Sequence, residues 1–118
     1  MVQHQRENRI DYVEFPSTDI AKTKQFYGKL FGWTFQDWGP DYISFNDGHI
    51  DGGFTRHAAV TGHYPLIVFW AADLEGKRKA VTEAGGRIVK DIFEFPGGKR
   101  FHFTDPSGNI LAVWSETK

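Results

Sequence analysis

Cysteine is absent from this sequence, and methionine occurs only once. The lack of cysteine excludes disulfides, thiolate metal ligands and a cysteine nucleophile. No apolar run approaches the roughly 18 residues of a membrane-spanning helix, and residues 1–9 have no apolar stretch typical of a signal peptide. These absences predict a cytoplasmic protein with no membrane partner.

An excess of one charge is also missing, because 14 Lys and Arg residues face 15 Asp and Glu residues, for a net charge of -1. Nucleic-acid binding needs a basic face, so no nucleic-acid partner is expected. Aromatic residues, in contrast, are abundant: they make up 16% of the chain and include 11 Phe and 4 Trp. So many rings in 118 residues indicate one domain with an aromatic core or an aromatic-lined cleft.

Two stretches of the sequence, "TDIAKTKQFYGKLFGW" and "ADLEGKRKAVTEAGGR", are similar to each other. Asp19 and Asp73 open the two copies at an offset of 54 positions, and the glycines Gly32 and Gly86 close them at the same offset. Further along, "NDGHI" and "PSGNI" match at an offset of 60, which places an insertion of about six residues near 95–100. Two copies of this length indicate a duplicated module and not a solenoid.

Each copy predicts a strand, a helix and three further strands. Asp19 and Asp73 are suited to cap the helices, because their carboxylates can accept backbone N–H groups of the first turn. Glycine ends both helices in this prediction. The sequence therefore predicts a single α+β domain over residues 1–118, with βαβββ modules at about 9–57 and 64–116 and a connector at about 58–63.

Side chains on a strand alternate between its two faces. In the first strand, Val13 and Phe15 share one face, and the corresponding face of the later strands is also apolar. We expect this face to pack under the helices. The opposite face mixes polar and aromatic residues, including Tyr12, Glu14, Trp70 and Trp114, and we expect it to line a concave surface.

The sequence resembles the glyoxalase / bleomycin-resistance / dioxygenase superfamily, also called vicinal oxygen chelate proteins. The resemblance lies in "VEFPSTDIAKTKQFYGKLFGW", "AADLEGKRKAVTEAGGRIV" and "FTDPSGNILAVW", and it extends over nearly the whole chain. It implies tandem βαβββ modules that form a cupped mixed sheet around a cleft. It also implies a small-molecule ligand and a homodimer.

Metal-dependent members of this family place four ligands, usually His, Gln or Glu, on the inward faces of the first and last strands of each module. Carried over to this sequence, these positions fall on Tyr12, on Gly52 or the adjacent Gly53, on Leu66 and on Ala112. Gly, Leu and Ala have no side-chain donor for a divalent metal. The sequence therefore predicts no metal and no other cofactor, with a divalent metal as the alternative.

Candidate catalytic residues are Glu14 and His102. A carboxylate on an otherwise uncharged inward face would have a raised pKa and could transfer protons, although Glu14 could instead pair with Arg or Lys. Arg100 and His102 alternate with two Phe residues, so one of the two pairs faces the cleft. If the polar pair does, His102 is a candidate acid or base and Arg100 an anion-binding residue; otherwise both lie on a solvated outer face.

Candidate ligand-binding residues are Tyr12, Glu14, Trp70, Trp114, Arg100 and His102. Indole and phenol rings offer flat apolar surfaces that can stack on a ligand, although these rings could equally fill the core or a dimer interface. We predict a protein that binds a small organic molecule in an aromatic cleft without a catalytic metal. The alternative is a lyase or isomerase related to lactoylglutathione lyase, in which Glu14 or His102 transfers a proton with or without a loosely held metal.

Overall fold

The computed structural model describes residues 6–57 and 64–116, so the predicted connector at 58–63 lies outside the described residues. The elements follow the βαβββ order twice, as predicted. In the first copy they are β1 (Ile10–Pro16), α1 (Ile20–Phe31), β2 (Thr34–Asp37), β3 (Tyr42–Asn46) and β4 (Asp51–Thr55). In the second copy they are β5 (Leu66–Trp70), α2 (Leu74–Glu83), β6 (Arg87–Phe95), β7 (Gly98–Thr104) and β8 (Ile110–Glu116).

The described residues fall into two compact units. The first unit comprises residues 12–57 and 64–66, and the second comprises residues 6–11 and 67–116. The second unit is therefore discontinuous in sequence, because the segment before β1 contacts the C-terminal half of the chain. Neither α1, with 12 residues, nor α2, with 10, is long and apolar enough to cross a membrane.

Both units contain a mixed sheet with the same connectivity. The strand order is β2-β3-β4-β1 in the first unit and β5-β8-β7-β6 in the second. In each unit the first and last strands of the module pair in parallel, β1 with β4 and β5 with β8, and the remaining pairs are antiparallel. The helix lies in the connection between the first and second strands, which is the α+β arrangement predicted by the repeat.

The two helices begin where the sequence predicts. Asp19 accepts a hydrogen bond from the backbone N–H of Lys22 at 3.0 Å, and Asp73 accepts one from that of Gly76 at 3.0 Å. Gly32 ends α1 with a φ of 72°, a left-handed conformation that favours glycine. In α2 the cap residue is Ala84, and the left-handed position follows at Gly85, whose φ is 102°.

Each helix packs on one face of its own sheet. In the first unit, α1 covers a cluster of rings in which Tyr27 lies 5.0 Å from Phe54 and 4.9 Å from Trp33, measured between ring centroids. In the second unit, α2 covers a less aromatic cluster in which Leu74, Phe101 and Val113 are buried. The core residues Phe15, Phe69 and Val113 lie on this side, which confirms the predicted alternation of faces.

Gly52 lies on the helix-facing side of β4, and we expect its replacement by alanine to destabilise the fold. A methyl group there would overlap the Phe45 ring and the carbonyl oxygen of Val13, which belongs to the neighbouring strand and cannot move away without disrupting the pairing. Overpacking of this kind predicts a loss of about 2–3 kcal/mol in the free energy of unfolding. Urea denaturation followed by far-UV circular dichroism measures it.

Gly28→Ala is the matched control, because its methyl group would lie 3.5 Å from Phe35, an ordinary contact. Alanine is the better helix former, so this variant should gain about 0.5–1 kcal/mol. Equal stability of the two variants would contradict the placement of Gly52.

Candidate functional site

The sheet face opposite α2 in the second unit carries the polar pair of β7. Phe101 and Phe103 pack in the core beneath α2, so Arg100 and His102 lie on the other face. His102 is opposite Ala112, and Arg100 is opposite Trp114, on the neighbouring strand. Of the two orientations that the sequence left open, the polar pair thus shares the face of Ala112 and Trp114.

Basic side chains converge on the Phe93 ring of β6. Lys90 Nζ lies 4.3 Å from the ring centroid and Arg100 Cζ lies 5.5 Å from it. The His102 ring is edge-on to Phe93 at 5.6 Å between centroids. Phe95 extends the aromatic surface, at 5.6 Å from Arg100 Cζ and 6.2 Å from the Trp114 ring. We name Lys90, Phe93, Phe95, Arg100 and His102 the basic–aromatic cluster.

His102 is an uncharged member of this cluster at neutral pH. Burial, followed by the positive charges of Arg100 and Lys90, lowers its pKa from 6.5 to about 4. Its Nε2 atom is buried and has no hydrogen-bond partner among the residues that the structure describes. A neutral imidazole can give or accept a hydrogen bond, but with this pKa it is a weak base. An anion that offsets the neighbouring cations would raise this pKa and make His102 a stronger base.

Glu14 is buried in the first unit, with 6% of its surface exposed. The Tyr42 hydroxyl donates a hydrogen bond to Glu14 Oε2 at 3.1 Å, and the hydroxyls of Tyr42 and Tyr12 are also hydrogen-bonded to each other. Burial raises the pKa of Tyr42, and the Glu14 carboxylate and the Tyr12 hydroxyl raise it further, so Tyr42 stays protonated. The three side chains form a hydrogen-bonded network on the face opposite α1.

Tyr42 was not among the residues that the sequence singled out. Ile43 and Phe45 of the same strand are buried in the core beneath α1, so alternation places Tyr42 and Ser44 on the opposite face. The sequence "YISFN" carries this period-two pattern. Applying the face argument to β3, and not only to the first and last strands, would have found Tyr42.

The predicted stacking residues Trp70 and Trp114 both contact Arg6. The Arg6 guanidinium lies 4.6 Å from the centroid of Trp70 and 5.4 Å from that of Trp114. It also makes two hydrogen bonds to Asp11, at 3.1 and 3.0 Å, and one to Glu116, at 2.8 Å. No sequence signal pointed to this role, because Arg6 lies outside both copies of the repeat.

The same two carboxylates bind the indole N–H groups. Trp70 donates to Glu116 at 2.8 Å and Trp114 donates to Asp11 at 2.9 Å. Because 4% of Trp70 is exposed, most of this ring is packed against protein. These contacts give both tryptophans a structural role, and Trp114 also reaches the basic–aromatic cluster through Phe95.

The structure distinguishes the two glycines, Gly52 and Gly53, that the metal position carried over from the family left open. Gly52 lies on the helix-facing side of β4, so the residue on the opposite face is Gly53. The repeat offset of 60 aligns Gly52 with Ala112. The strand pairing instead makes Phe54 equivalent to Val113, so that Gly53, the residue before Phe54, is the equivalent of Ala112.

These positions do not fit a divalent metal. The hydroxyls of Tyr12 and Tyr42 lie directly over Gly53, where the side chain of a ligating residue would project. Leu66 and Ala112 are buried hydrocarbon side chains, and neither offers an electron pair. Across residues 6–57 and 64–116, the structure has no group of three or more His, Asp or Glu side chains arranged to hold a metal ion.

Residues 9–113 match the family model of the Glyoxalase/Bleomycin resistance protein/Dioxygenase superfamily. Because the match covers most of the chain and the tandem βαβββ order agrees with it, the chain belongs to this superfamily. The resemblance noted from the sequence motifs is thereby confirmed.

Relatives and solved structures agree with this assignment. The anthracycline biosynthesis protein DauV of Streptomyces sp. (strain C5) is 32% identical over an alignment 124 positions long, gaps included, which covers 87% of this chain and 45% of the relative. The chain therefore spans about half the length of the curated relatives it matches.

Two solved structures show the shared fold. The Mn(II)-bound glyoxalase from Novosphingobium aromaticivorans has a TM-score of 0.68 and 23% identity, with 93% of this chain and 39% of that chain covered. A glyoxalase/bleomycin resistance protein/dioxygenase superfamily member from Vibrio splendidus 12B01 also has a TM-score of 0.68, at 15% identity, covering 92% of this chain and 98% of that chain.

The lowered pKa of His102 predicts a pH-dependent stability. The unfolded chain binds a proton at this residue near pH 6.5 and the folded protein only near pH 4, so stability falls as the pH drops through this range. Between pH 7 and pH 5, the wild type should lose about 1–2 kcal/mol more than His102→Gln does. Urea unfolding at both pH values measures the difference.

His49→Gln is the control, because His49 lies in an exposed turn. It should lose as much stability as the wild type over the same pH range. If His102→Gln also matched the wild type, the neutral state of His102 would be refuted.

Proposed function

We propose that this protein binds a small, planar, oxygenated aromatic molecule at the basic–aromatic cluster, without a catalytic metal. The observation that carries the proposal is the buried Nε2 atom of His102, which has no hydrogen-bond partner among the described residues. A buried polar atom without a partner is costly, and a ligand hydroxyl or carbonyl would satisfy it.

The chemistry of the cluster supports this class of ligand. Phe93 and Phe95 offer ring surfaces on which an aromatic system can stack. Lys90 and Arg100 favour a ligand that carries negative charge on oxygen, such as an ionised phenol or a carboxylate. Neutral His102 can act as either donor or acceptor, which suits a ligand with adjacent hydroxyl and carbonyl groups.

The name of the relative DauV is consistent with the same class, because anthracyclines are planar, oxygenated polycyclic compounds. This chain spans less than half of that relative, so the ligand and activity of the longer protein enter here only as part of the proposal. Binding without turnover would suffice for a protein that sequesters such a compound.

An enzyme remains the second candidate, and the observation in its favour is the buried Glu14 carboxylate. As a general base, Glu14 would accept a proton from a substrate carbon, while the Tyr42 hydroxyl orients it. His102 is the weaker candidate base because of its low pKa. This would be a lyase or isomerase reaction related to that of lactoylglutathione lyase.

The expectations of a cytoplasmic homodimer with no nucleic-acid or membrane partner belong to the same proposal. Sedimentation equilibrium of the purified protein tests the dimer. A monomer at every concentration would remove that part of the proposal and leave the ligand site intact.

Substitutions in the cluster should weaken binding of 1,4-dihydroxyanthraquinone, used as a planar oxygenated probe. Phe93→Leu removes the ring and Lys90→Gln removes a charge 4.3 Å from it. Each should lower the affinity about 3–10-fold, because ring stacking and cation–π contacts contribute about 0.5–2 kcal/mol. Isothermal titration calorimetry measures the affinities.

The matched control is Lys99→Gln, which also removes one lysine charge. Lys99 precedes Arg100 in β7, so strand alternation places it on the other face of the sheet, away from the cluster. Its affinity should stay within about twofold of the wild type. A probe that bound all three variants equally would refute the ligand site. Binding retained in Glu14→Gln, together with loss of turnover of the methylglyoxal–glutathione hemithioacetal, would establish the enzyme instead.

The absence of a catalytic metal is tested separately by elemental analysis of protein purified without chelators. Because the family's ligand positions provide no set of donor side chains, less than about 0.1 equivalents of Mn, Fe, Ni or Zn per chain are expected. One equivalent that disappears in Tyr12→Phe would overturn this expectation.

A further inference from the structure

The second unit contains a cavity of about 240 Å³, partly open to solvent, on the helix-facing side of its sheet. Its wall is mostly apolar and includes Phe69, Val81, Phe103 and Val113. Asn8 and Lys77 line it as its polar residues. None of these residues takes part in the function proposed above.

The first unit shows why the cavity exists. Val81 is the repeat partner of Tyr27, at the offset of 54. Strand pairing makes Val113 the equivalent of Phe54, because Phe69 pairs with Val113 as Phe15 pairs with Phe54. Two aromatic rings, which lie 5.0 Å apart in the first unit, are thus replaced by two valines in the second.

A third ring is also missing from the second unit. Trp33 stacks on Tyr27 at 4.9 Å in the first unit, and its repeat partner is Arg87, an exposed residue. Three positions that carry rings beneath α1 therefore carry none beneath α2, although Phe69, Phe101 and Phe103 belong to the same core. A missing ring leaves the atoms around it without van der Waals contacts, so an aromatic guest would restore packing that the fold otherwise has.

Lys77 supplies polar recognition at this cavity. Its ammonium group lies 3.3 Å from Glu7 and 2.8 Å from the side-chain oxygen of Asn8. An ammonium group has three N–H donors, so one remains for a guest or for water. A guest with a single carboxylate can place its ring among the valines and its oxygen against this donor.

We propose that this cavity is a second ligand site, which takes a small aromatic monocarboxylate of one ring. An enclosed engineered cavity of about 150 Å³ holds benzene, so the larger, solvent-open volume here has room for a substituted benzoate with part of its surface exposed. Phe69, Phe103 and Val113 lie on the sheet face opposite the basic–aromatic cluster, whereas Trp70, which also lines the cavity, shares the face of Trp114.

The test uses 4-methylbenzoate and the neutral p-xylene as probes, with binding followed by methyl NMR signals of Val81 and Val113. Val81→Phe restores a ring at the position that Tyr27 occupies in the first unit, and should lower the affinity for both probes at least about tenfold. Lys77→Gln should weaken only 4-methylbenzoate, by about 3–10-fold.

Val89→Phe is the matched control, because Val89 is 50% exposed and lies outside the cavity. It should bind both probes within about twofold of the wild type. If Val81→Phe does not fold, Val81→Leu adds one methylene group to the cavity wall instead of a ring. It should lower both affinities by less than the roughly tenfold expected for Val81→Phe. The proposal is overturned if the filled variants bind as tightly as the wild type, or if the probes shift signals of Phe93 and His102 and leave those of Val81 unchanged.

Discussion

The parallel pairing of the first and last strand of each module is the constraint on which the rest of this structure depends. It fixes β1 against β4 and β5 against β8, and the alternation of side chains then assigns every residue to one of two faces. One face is committed to packing beneath a helix. The other face carries the polar side chains Glu14, Arg100 and His102.

On that second face, close packing occupies the positions at which the family resemblance would place metal ligands. In the first unit the Tyr12 and Tyr42 hydroxyls cover Gly53, and in the second unit Ala112 lies opposite His102. The polar groups that remain are arranged around rings: Tyr42 with Glu14, and His102 with Phe93. This arrangement supports the proposed recognition of an organic molecule by hydrogen bonds and stacking.

Much of this could be read from the sequence because the signals are local. Helix caps at Asp19 and Asp73, the left-handed Gly32 and the alternation along β1 each depend on residues close together in the chain. The same order of strands and helix occurs in both modules, so each module supported the prediction made for the other. Strand β4 begins at Asp51, because the Asp47 side chain holds the preceding turn by accepting hydrogen bonds from the backbone N–H groups of His49 and Ile50.

What the sequence could not provide depends on contacts between distant residues. Arg6 lies outside the repeat, so nothing nearby indicated its position beside Trp70 and Trp114. The low pKa of His102 requires the burial and the two cations that the fold brings to it. The choice between Gly52 and Gly53 depends on the register of β4 against β1. An error of one residue in the repeat offset assigns each residue of the strand to the wrong face.

The position of Arg6 has a consequence for how this chain can be divided. Its ion pair with Glu116 joins residues 110 positions apart, and Glu7 likewise binds Lys77 of the second unit. A fragment that begins after the connector would therefore leave the indole N–H of Trp114 without Asp11 and the carboxylate of Glu116 without its guanidinium. The duplicated modules of the sequence therefore do not coincide with the two compact units of the structure, because residues 6–11 pack with the C-terminal module.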